Sequence, residues 1–567
     1  MESDNPIRQE ISIKEAEILS ISIKVGTYES TNEGTLTLTL YEDDNVIQQW
    51  TRDTSLLVDN EYAVFELDAP YLSNPDHRYS FTIVDHYSES NAIALYDSQD
   101  NSEETVCYKV NYTNRSYQRT VVMISVTVFL ALVILIIKKT NEKILMIFVV
   151  LSLGLAYFFV CPLGIAPDEQ THFWRAYEIS HGHMVSQHVY DDGIGGNTLP
   201  SAVKNFNDES SIIDWNNTEV IEFGNTSLYA PVNYLPQSIG ITIAELFTQR
   251  VSLVFYAGRA CSFLLCMTLC ILSIWIIPFG RKILFMIMLF PMSLQEMISM
   301  SPDGLTISLS LFLISYILYV SYSPSKLRKR DYIIITATCL LLSLMKIVYV
   351  VLLFLVLIIP KDKFNKQRNS AIFKTGLVAS AFVLNLIWLT VSSGFLGEFQ
   401  PGVNSSEQVK YILLNLPDYL IIVIRTTLEE GLFIISTMIG SNMGRLTIST
   451  TGIIWVVYLI MFVYTVATDN ESINYHKQDA PIMLLVFFTC VALIYTSLYV
   501  QWTALKNEIV RGIQGRYFTP VLPLPALVAS RLTKGTATSH TSCYYFVLLL
   551  FLNGVILLDI INYTFLM

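Results

Sequence analysis

Charged residues are scarce in this sequence, and their scarcity argues against an ordinary soluble protein. Only 15% of the 567 residues are Asp, Glu, Lys or Arg, while 52% are hydrophobic; a soluble chain carries about 25% charge. The apolar residues come in long blocks, which is typical of a chain that crosses a membrane several times. The net charge of −12 argues against nucleic-acid binding, which requires a basic face.

Several familiar motifs are also missing. There is no glycine-rich phosphate loop, no P-loop and no Gly-x-Ser-x-Gly elbow, so nothing indicates a nucleotide-driven pump or a serine hydrolase. Of the eight cysteines, seven lie in or beside apolar runs and Cys107 stands alone. Nothing therefore indicates a disulfide framework or a cysteine zinc site.

Residues 1–116 differ from the rest of the chain. Apolar and polar residues alternate at 35–41, 62–67 and 79–84, with turn-forming residues between these stretches. Short strands at this spacing predict a β-sandwich domain, which would serve either as a rigid spacer or as a holder of a polymer or sugar.

Residues 117–567 predict a polytopic α-helical domain with about twelve transmembrane helices. The expected spans lie near 119–137, 143–163, 252–277, 283–298, 304–322, 332–345, 347–360, 371–393, 452–467, 481–500, 517–532 and 543–565. Some of these are short for a bilayer of about 30 Å, so we expect one or two to be re-entrant.

Lysine and arginine cluster in alternate loops, at 281–282, 326–330, 361–374 and 531–534. The positive-inside rule places these loops in the cytoplasm. The N-terminal domain and the loops 164–250, 394–451 and 501–516 are then extracytoplasmic. The acidic and basic residues within 425–430 predict an interfacial helix in the second of these loops. No apolar leader precedes the N-terminal domain, so we expect an upstream helix to be missing from this chain.

The stretch 167–177 brings acids, a base and a cation to a membrane surface, directly after an apolar run. Pro167 suits the first position of a helix, and on that helix Asp168, His172 and Arg175 would share one face. This arrangement suits proton transfer from a bound nucleophile, with Asp168 as the base and with Glu169 and His172 orienting it or the acceptor. The alternative is that Asp168 and Glu169 only cap the helix.

Three cations at membrane depth could hold a phosphate: Lys346, Arg516 and Arg259. Each has a plainer interpretation. Lys346 could extend its ammonium to the interface, Arg516 could be an interface anchor, and Arg259 could pair with a carboxylate on a neighbouring helix. Asp303 is a second carboxylate, although its Ser-Pro-Asp-Gly setting is also that of a simple turn.

A divalent metal is possible but is not strongly indicated. Asp168 or Glu169 with His172 has the spacing that ligation on a helix permits, and three further histidines follow at 181, 183 and 188. The sequence shows no fixed cage of ligands, so the metal stays unknown.

Several of these segments resemble a bacterial family of predicted membrane proteins, domain of unknown function 2142, which is placed with the GT-C membrane glycosyltransferases. The resembling segments are 167–169 with His172, Arg175 and Tyr177; 229–237; 301–303; Lys346 with Tyr349; and 514–517.

The resemblance covers about 145–535 and implies a GT-C-like fold with a catalytic carboxylate in the first large outer loop, where Asp168 stands. It also implies a polyprenyl-phosphate-sugar donor. The residues implied in substrate binding are Arg175, Tyr177, Tyr229, Asp303, Gln514 and Tyr517.

We therefore expect a glycosyltransferase at the outer face of a bacterial plasma membrane. It would move a sugar from a polyprenyl phosphate to a cell-wall or surface glycan. The alternative is a lipid-linked sugar transporter, or a non-catalytic partner in polysaccharide assembly. A transporter should show internal repeats, and the sequence contains no convincing one.

Overall fold

The computed structural model describes most of the chain. The described residues are 6–11, 17–27, 34–73, 77–87, 93–96, 106–112, 126–127, 130, 133, 141–188, 194–208, 210–395, 402–469, 476, 478–532 and 543–566. Contacts divide the chain into two units, one of residues 1–122 with 562–567 and one of residues 123–561. The predicted boundary at residue 116 stays a prediction.

The first unit is a β-sheet region. One antiparallel sheet has the strand order β1-β6-β3-β4, and a second has the order β5-β2-β7, with β8 also paired to β2. The strands are β1 (Ile7–Ile11), β2 (Glu17–Gly26), β3 (Gly34–Glu42), β4 (Asn45–Asp53), β5 (Glu61–Leu72), β6 (Tyr79–Tyr87), β7 (Ala94–Leu95) and β8 (Tyr108–Tyr112).

Residues from both sheets belong to one buried apolar cluster, to which β2 contributes Ile21, β3 contributes Leu38 and β5 contributes Phe65. This follows from the alternating pattern, because every second side chain of a strand points to the same face. The predicted strands 35–41, 62–67 and 79–84 lie within β3, β5 and β6. The sandwich itself remains a prediction.

The second unit is helical. Its longer helices are α1 (Glu142–Val160), α2 (Glu169–Ser180), α4 (Leu235–Glu245), α5 (Val251–Ile276), α8 (Pro302–Tyr322), α9 (Lys329–Met345), α10 (Gln367–Ser392), α11 (Ser405–Leu414), α12 (Leu416–Ile439), α13 (Ile453–Thr468), α14 (Asp479–Gln501), α15 (Pro523–Leu532) and α16 (Cys543–Leu566). The shorter ones are α3 (Gly224–Ser227), α6 (Arg281–Met288) and α7 (Pro291–Met297).

Small β elements occur in the loops of this unit. Strands β9 (Gln187–His188), β10 (Gly195–Pro200) and β11 (Thr218–Glu222) form one antiparallel sheet. Strands β12 (Asn442–Met443) and β13 (Ile448–Ser449) pair with each other.

Among the described residues, six helices are long and apolar enough to cross a membrane. They are Glu142–Val160, Val251–Ile276, Pro302–Tyr322, Gln367–Phe395, Asp479–Gln501 and Tyr544–Thr564. Each overlaps an expected span, so the chain is a membrane protein with several spanning helices. The total of twelve is not confirmed, and the expected first span, 119–137, lies mostly outside the described residues.

Three expected spans take other forms. The span near 283–298 is two short helices, α6 and α7, separated at Leu289 and Phe290 because Pro291 begins a new helix. The stretch 347–360 forms a 3-10 helix, Ile347–Ile358. The stretch 517–532 is divided between a 3-10 turn and the ten-residue helix α15.

The loop 394–451 contains the 24-residue helix α12, where an interfacial helix was expected. Its many exposed apolar side chains include Ile424 and Leu428, while Arg425 pairs with Glu508. Helix α12 is not one of the described helices that are apolar enough to cross a membrane, because it carries charged residues within 425–430.

The basic loops meet at one end of the helical unit, which we call the basic end (279–282, 326–330 and 361–374). Leu327 donates its backbone N–H to the carbonyl of Lys363 at 2.9 Å, and the Arg531 guanidinium lies 5.0 Å from the centre of the Phe279 ring. Helix α8 starts at the other end with Pro302 and reaches the basic end at Tyr322. Its 21 residues separate the two ends by about 30 Å.

Candidate functional site

Asp303 lies in the first turn of helix α8, at the end of the helical unit opposite the basic end. Ser301 caps the helix by accepting the backbone N–H of Asp303 at 3.2 Å, and Pro302 takes the first helical position. The carboxylate is therefore held where the helix dipole favours negative charge. Its residue is buried, with 8% exposure, so Asp303 is more than a member of a surface turn.

Lys346 follows the last residue of helix α9, where the backbone becomes extended. Its ammonium forms an ion pair with Asp303. The same ammonium lies 5.8 Å from the centre of the Tyr229 ring and 5.1 Å from that of Tyr517. Two aromatic faces and a carboxylate thus hold a cation whose side chain is 16% exposed.

Arg516 comes to the same carboxylate from the 3-10 turn Gly515–Phe518. Its Nε lies 3.4 Å from Asp303 Oδ2, and its NH1 donates to Glu296 Oε1 at 3.2 Å. Glu296, on α7, is completely buried. We call Glu296, Asp303, Lys346 and Arg516 the charge cluster.

Sequence reasoning missed Glu296. Its signal was present, because an acid inside the apolar stretch 283–298 is costly unless it has a partner or a function. Nothing in the sequence identified Arg516, more than two hundred residues later, as that partner.

Two glycines permit the close backbone approaches that form the charge cluster. A Cβ on Gly515 would lie 2.1 Å from Met438 N on α12, and a Cβ on Gly304 would lie 2.3 Å from the Glu296 carbonyl oxygen. Both distances are shorter than any real contact. Only glycine therefore fits beside Asp303 and Arg516 in this packing.

His172 lies on α2, close enough to the charge cluster for Asp303, Lys346 and Arg516 to affect its pKa. Its Nδ1 is 2.8 Å from the Tyr234 hydroxyl. The pKa of His172 is lowered to about 3, mainly by burial and also by Lys346 and Arg516, while Asp303 opposes this shift. The ring is therefore neutral at physiological pH and could act as a hydrogen-bond partner.

The sequence predicted that Asp168, His172 and Arg175 share one helical face, but in the structure Asp168 does not lie on that face. It precedes α2 with φ 55° and ψ 16°, in the left-handed region, and its side chain makes no cap hydrogen bond. The residue is exposed. Asp168 thus occupies the N-cap position without a side-chain capping hydrogen bond, and its exposed carboxylate is accessible to a ligand.

Tyr229 connects Asp168 with the charge cluster. Burial raises the pKa of the Tyr229 hydroxyl, Lys346 lowers it, and the carboxylates of Asp303 and Asp168 raise it. Asp168 and members of the charge cluster thus both affect the pKa of the same tyrosine. Among the described residues, Asp168 forms no ion pair with Lys346 or Arg516.

Glu169 and Arg259 form a fully buried ion pair. Arg259 donates from Nε to Oε1 and from NH2 to Oε2 of Glu169, each at 2.6 Å. Glu169 also accepts the backbone N–H groups of Ala166 and Met300. The predicted roles of orienting a substrate and of binding phosphate are thus not favoured, because each charge neutralises the other. Arg259 has the partner carboxylate that the sequence left open.

Arg175 and Tyr177 also lie away from the charge cluster. Arg175 pairs with Glu178, and both side chains are completely buried; Glu178 also accepts from Asn197 at 3.0 Å. The Tyr177 ring packs against Phe173, with ring centres 5.9 Å apart. These contacts join α2 to strand β10 of the β9–β11 sheet and to the apolar core. The geometry therefore gives no support to direct substrate binding by Arg175 or Tyr177.

Gln514 lies directly before the turn that carries Arg516. Its Oε1 is buried and has no hydrogen-bond partner among the described residues. The backbone carbonyl of Tyr517 accepts a hydrogen bond from the Tyr349 hydroxyl at 2.8 Å. The 514–517 segment thus presents a cation, an aromatic face and an unpaired acceptor together.

A metal held by Asp168, Glu169 and His172 does not fit this arrangement. Glu169 is saturated by Arg259 and backbone amides, and His172 is bound to Tyr234. Among the described residues, no three His, Cys, Asp or Glu side chains come together as a metal site. His181 instead lies 3.3 Å from Glu245.

A comparison with protein families finds one match, a family described as predicted membrane protein (DUF2142), over residues 195–525. No curated protein and no solved structure matches the chain. The matched residues include the whole charge cluster but not Asp168 or His172. Because the match covers more than half of the 567 residues, the chain belongs to the DUF2142 family of predicted membrane proteins.

Proposed function

We propose that this protein is a membrane glycosyltransferase of the GT-C type. It moves a sugar from a polyprenyl phosphate to a cell-wall or surface glycan, on the outer face of the bacterial plasma membrane. The observation that carries the proposal is the meeting of Lys346 and Arg516 on the carboxylate of Asp303. Two cations from distant segments, partly shielded from water, suit the binding of a lipid phosphate.

The reaction assigns a role to each group. The acceptor hydroxyl attacks the anomeric carbon of the sugar, and the bond from that carbon to the phosphate oxygen breaks. Lys346 and Arg516 stabilise the negative charge on the departing polyprenyl phosphate. Asp168 takes the proton of the attacking hydroxyl, as its exposed carboxylate can. Neutral His172 orients the acceptor.

Tyr229 and Tyr517 form the walls beside Lys346. Aromatic faces present apolar surface with a polar hydroxyl, which suits the C–H face of a sugar ring next to its phosphate. Gln514 provides an acceptor for a sugar hydroxyl.

The distribution of charge supports the proposed orientation. The basic end carries the loops rich in lysine and arginine, and the positive-inside rule assigns such loops to the cytoplasm. Asp168 and the charge cluster then face outward, where a lipid-linked sugar and a cell-wall acceptor meet.

The test compares envelope glycans of cells that express the wild type, Asp168→Asn and Lys346→Met at equal protein levels. We expect both variants to lose one sugar from the glycan profile. Asp214→Asn is the matched control, since Asp214 is exposed and lies on the same loop. An unchanged profile in both test variants would contradict the proposal.

A second experiment separates transfer from transport. Vesicles containing the purified protein are supplied with a lipid-linked sugar and a glycan acceptor. Movement of the lipid across the bilayer without a glycosylated product would favour the transporter alternative instead.

A further inference from the structure

Glu296 has no part in the reaction described above, yet it lies against the cation that would hold the phosphate. Its side chain is completely buried on α7, a seven-residue helix too short to cross the membrane. Oε1 accepts from Arg516 NH1 at 3.2 Å, whereas Oε2 has no hydrogen-bond partner among the described residues. An ionised carboxylate with one unsatisfied buried oxygen is costly.

The charge cluster has no net charge when it is fully ionised. Lys346 and Arg516 carry two positive charges, and Asp303 and Glu296 carry two negative ones. An arriving phosphodiester would add a negative charge that nothing in the cluster balances. In a buried site such an unbalanced charge is strongly unfavourable, so one carboxylate must take up a proton or move.

The contacts decide which carboxylate takes the proton. Asp303 contacts both cations and lies at the start of α8. Among the described residues, Glu296 forms an ion pair with Arg516 alone. The close approach of Gly304 to the Glu296 backbone carbonyl holds α7 against α8. Asp303 is therefore stabilised as an anion, whereas Glu296 Oε2 receives no hydrogen bond from the described residues that would stabilise a negative charge.

We propose that Glu296 is a positioning residue that takes up one proton when a phosphodiester binds Arg516 and Lys346. The inference rests on the proposed function and extends it, since it makes donor binding proton-linked and adapts the site to a singly charged phosphodiester. Protonated Glu296 releases Arg516 from one carboxylate and keeps the guanidinium in place through Oε1.

The charged groups that face Glu296 are Arg516, Asp303 and Lys346. The pKa of Glu296 is raised to about 7, because burial and the carboxylate of Asp303 raise it more than Arg516 and Lys346 lower it. A ligand phosphate would raise it further. Above this pKa the free site must gain a proton on binding; well below it, the proton is already present.

The test uses farnesyl methyl phosphate, a phosphodiester that stays singly charged throughout the pH range used. Binding to the detergent-solubilised protein is measured by calorimetry in buffers of different ionisation enthalpy, which gives the number of protons taken up. At about pH 8 we expect close to one proton per bound probe, and affinity that weakens up to about tenfold per pH unit.

Glu296→Gln keeps the shape and removes the ionisation. It should bind the probe without proton uptake, with little pH dependence, and more tightly than the wild type at about pH 8 by up to about tenfold. Glu222→Gln, at an exposed acid, is the matched control and should behave as the wild type does.

Binding by the wild type without proton uptake would overturn the inference and leave the proposed function intact. Proton uptake that persists in Glu296→Gln would also overturn it. Failure of the wild type to bind the probe at any pH would count against both proposals. The wild-type proton count needs no variant, so the test holds even if Glu296→Gln folds poorly.

Discussion

The ammonium of Lys346 and the carboxylate of Asp303 form an ion pair between the end of α9 and the start of α8. These helices follow one another in the chain and run antiparallel, so the C-terminal end of α9 lies beside the N-terminal end of α8. Both side chains are largely shielded, with 16% and 10% exposure. The pair therefore contributes to the packing of the helices and to the charge of the site.

This pair predicts non-additive effects on stability. Lys346→Met leaves Asp303 with Arg516 alone, whereas the double variant Lys346→Met with Asp303→Leu leaves no unpaired carboxylate. Thermal unfolding in detergent should give a coupling energy of about 1–3 kcal/mol between the two positions. Additive effects would show that the pair contributes nothing to stability.

Glu169 and Arg259 predict a structural role. Arg259→Met should reduce the free energy of unfolding by about 3–5 kcal/mol, because it leaves a buried carboxylate without its partner. Glu169→Leu with Arg259→Met should recover much of that loss. If Glu169→Gln instead abolished sugar transfer at unchanged stability, Glu169 would be a catalytic residue, as the sequence predicted.

Asp168 predicts a separation of stability from activity. Its φ of 55° is costly for a side chain, so Asp168→Gly should retain or increase stability, while Asp168→Ala should lose about 1 kcal/mol. Both variants should lose sugar transfer, because both lack the carboxylate. Transfer retained by a folded Asp168→Gly protein would remove Asp168 from the mechanism.

His172 predicts a pH dependence of stability. Its pKa is about 3 in the folded protein and about 6.5 when unfolded. The unfolded state therefore binds the extra proton between these values, and the stability that neutral His172 supplies is lost as pH falls. The slope should approach about 1.4 kcal/mol per pH unit. Denaturation of His172→Gln should show a shallower decline over this window, and equal slopes would contradict the assignment.

Gly515 predicts a packing requirement. Gly515→Ala would place a methyl group against the α12 backbone and should cost about 1–3 kcal/mol. Gly431→Ala is the matched control on α12, where nothing lies within 4 Å, and it should be neutral or stabilising by up to about 1 kcal/mol. Thermal unfolding of both variants provides the measurement, and equal losses would rule out the close approach as the cause.

The site was predictable where a charge interrupts an apolar run. Lys346 was singled out for that reason, whereas Asp303 and Arg516 were singled out because they stand at the outer ends of apolar runs. The three residues meet. Glu296 was overlooked although the same rule applies to it. Arg259 and Glu169 were assigned to a substrate, because a sequence shows which charges are costly but not which two neutralise each other.

The sequence by itself determined that this is a membrane protein, and it located the six long apolar helices of the described residues and three of the strands, since apolar length and alternation are local properties. Only the tertiary structure decided the partners of the buried charges, because these depend on contacts between segments far apart in the chain. The close approaches at Gly304 and Gly515 bring Glu296, Asp303 and Arg516 within ion-pair distance, and no local pattern specifies that geometry.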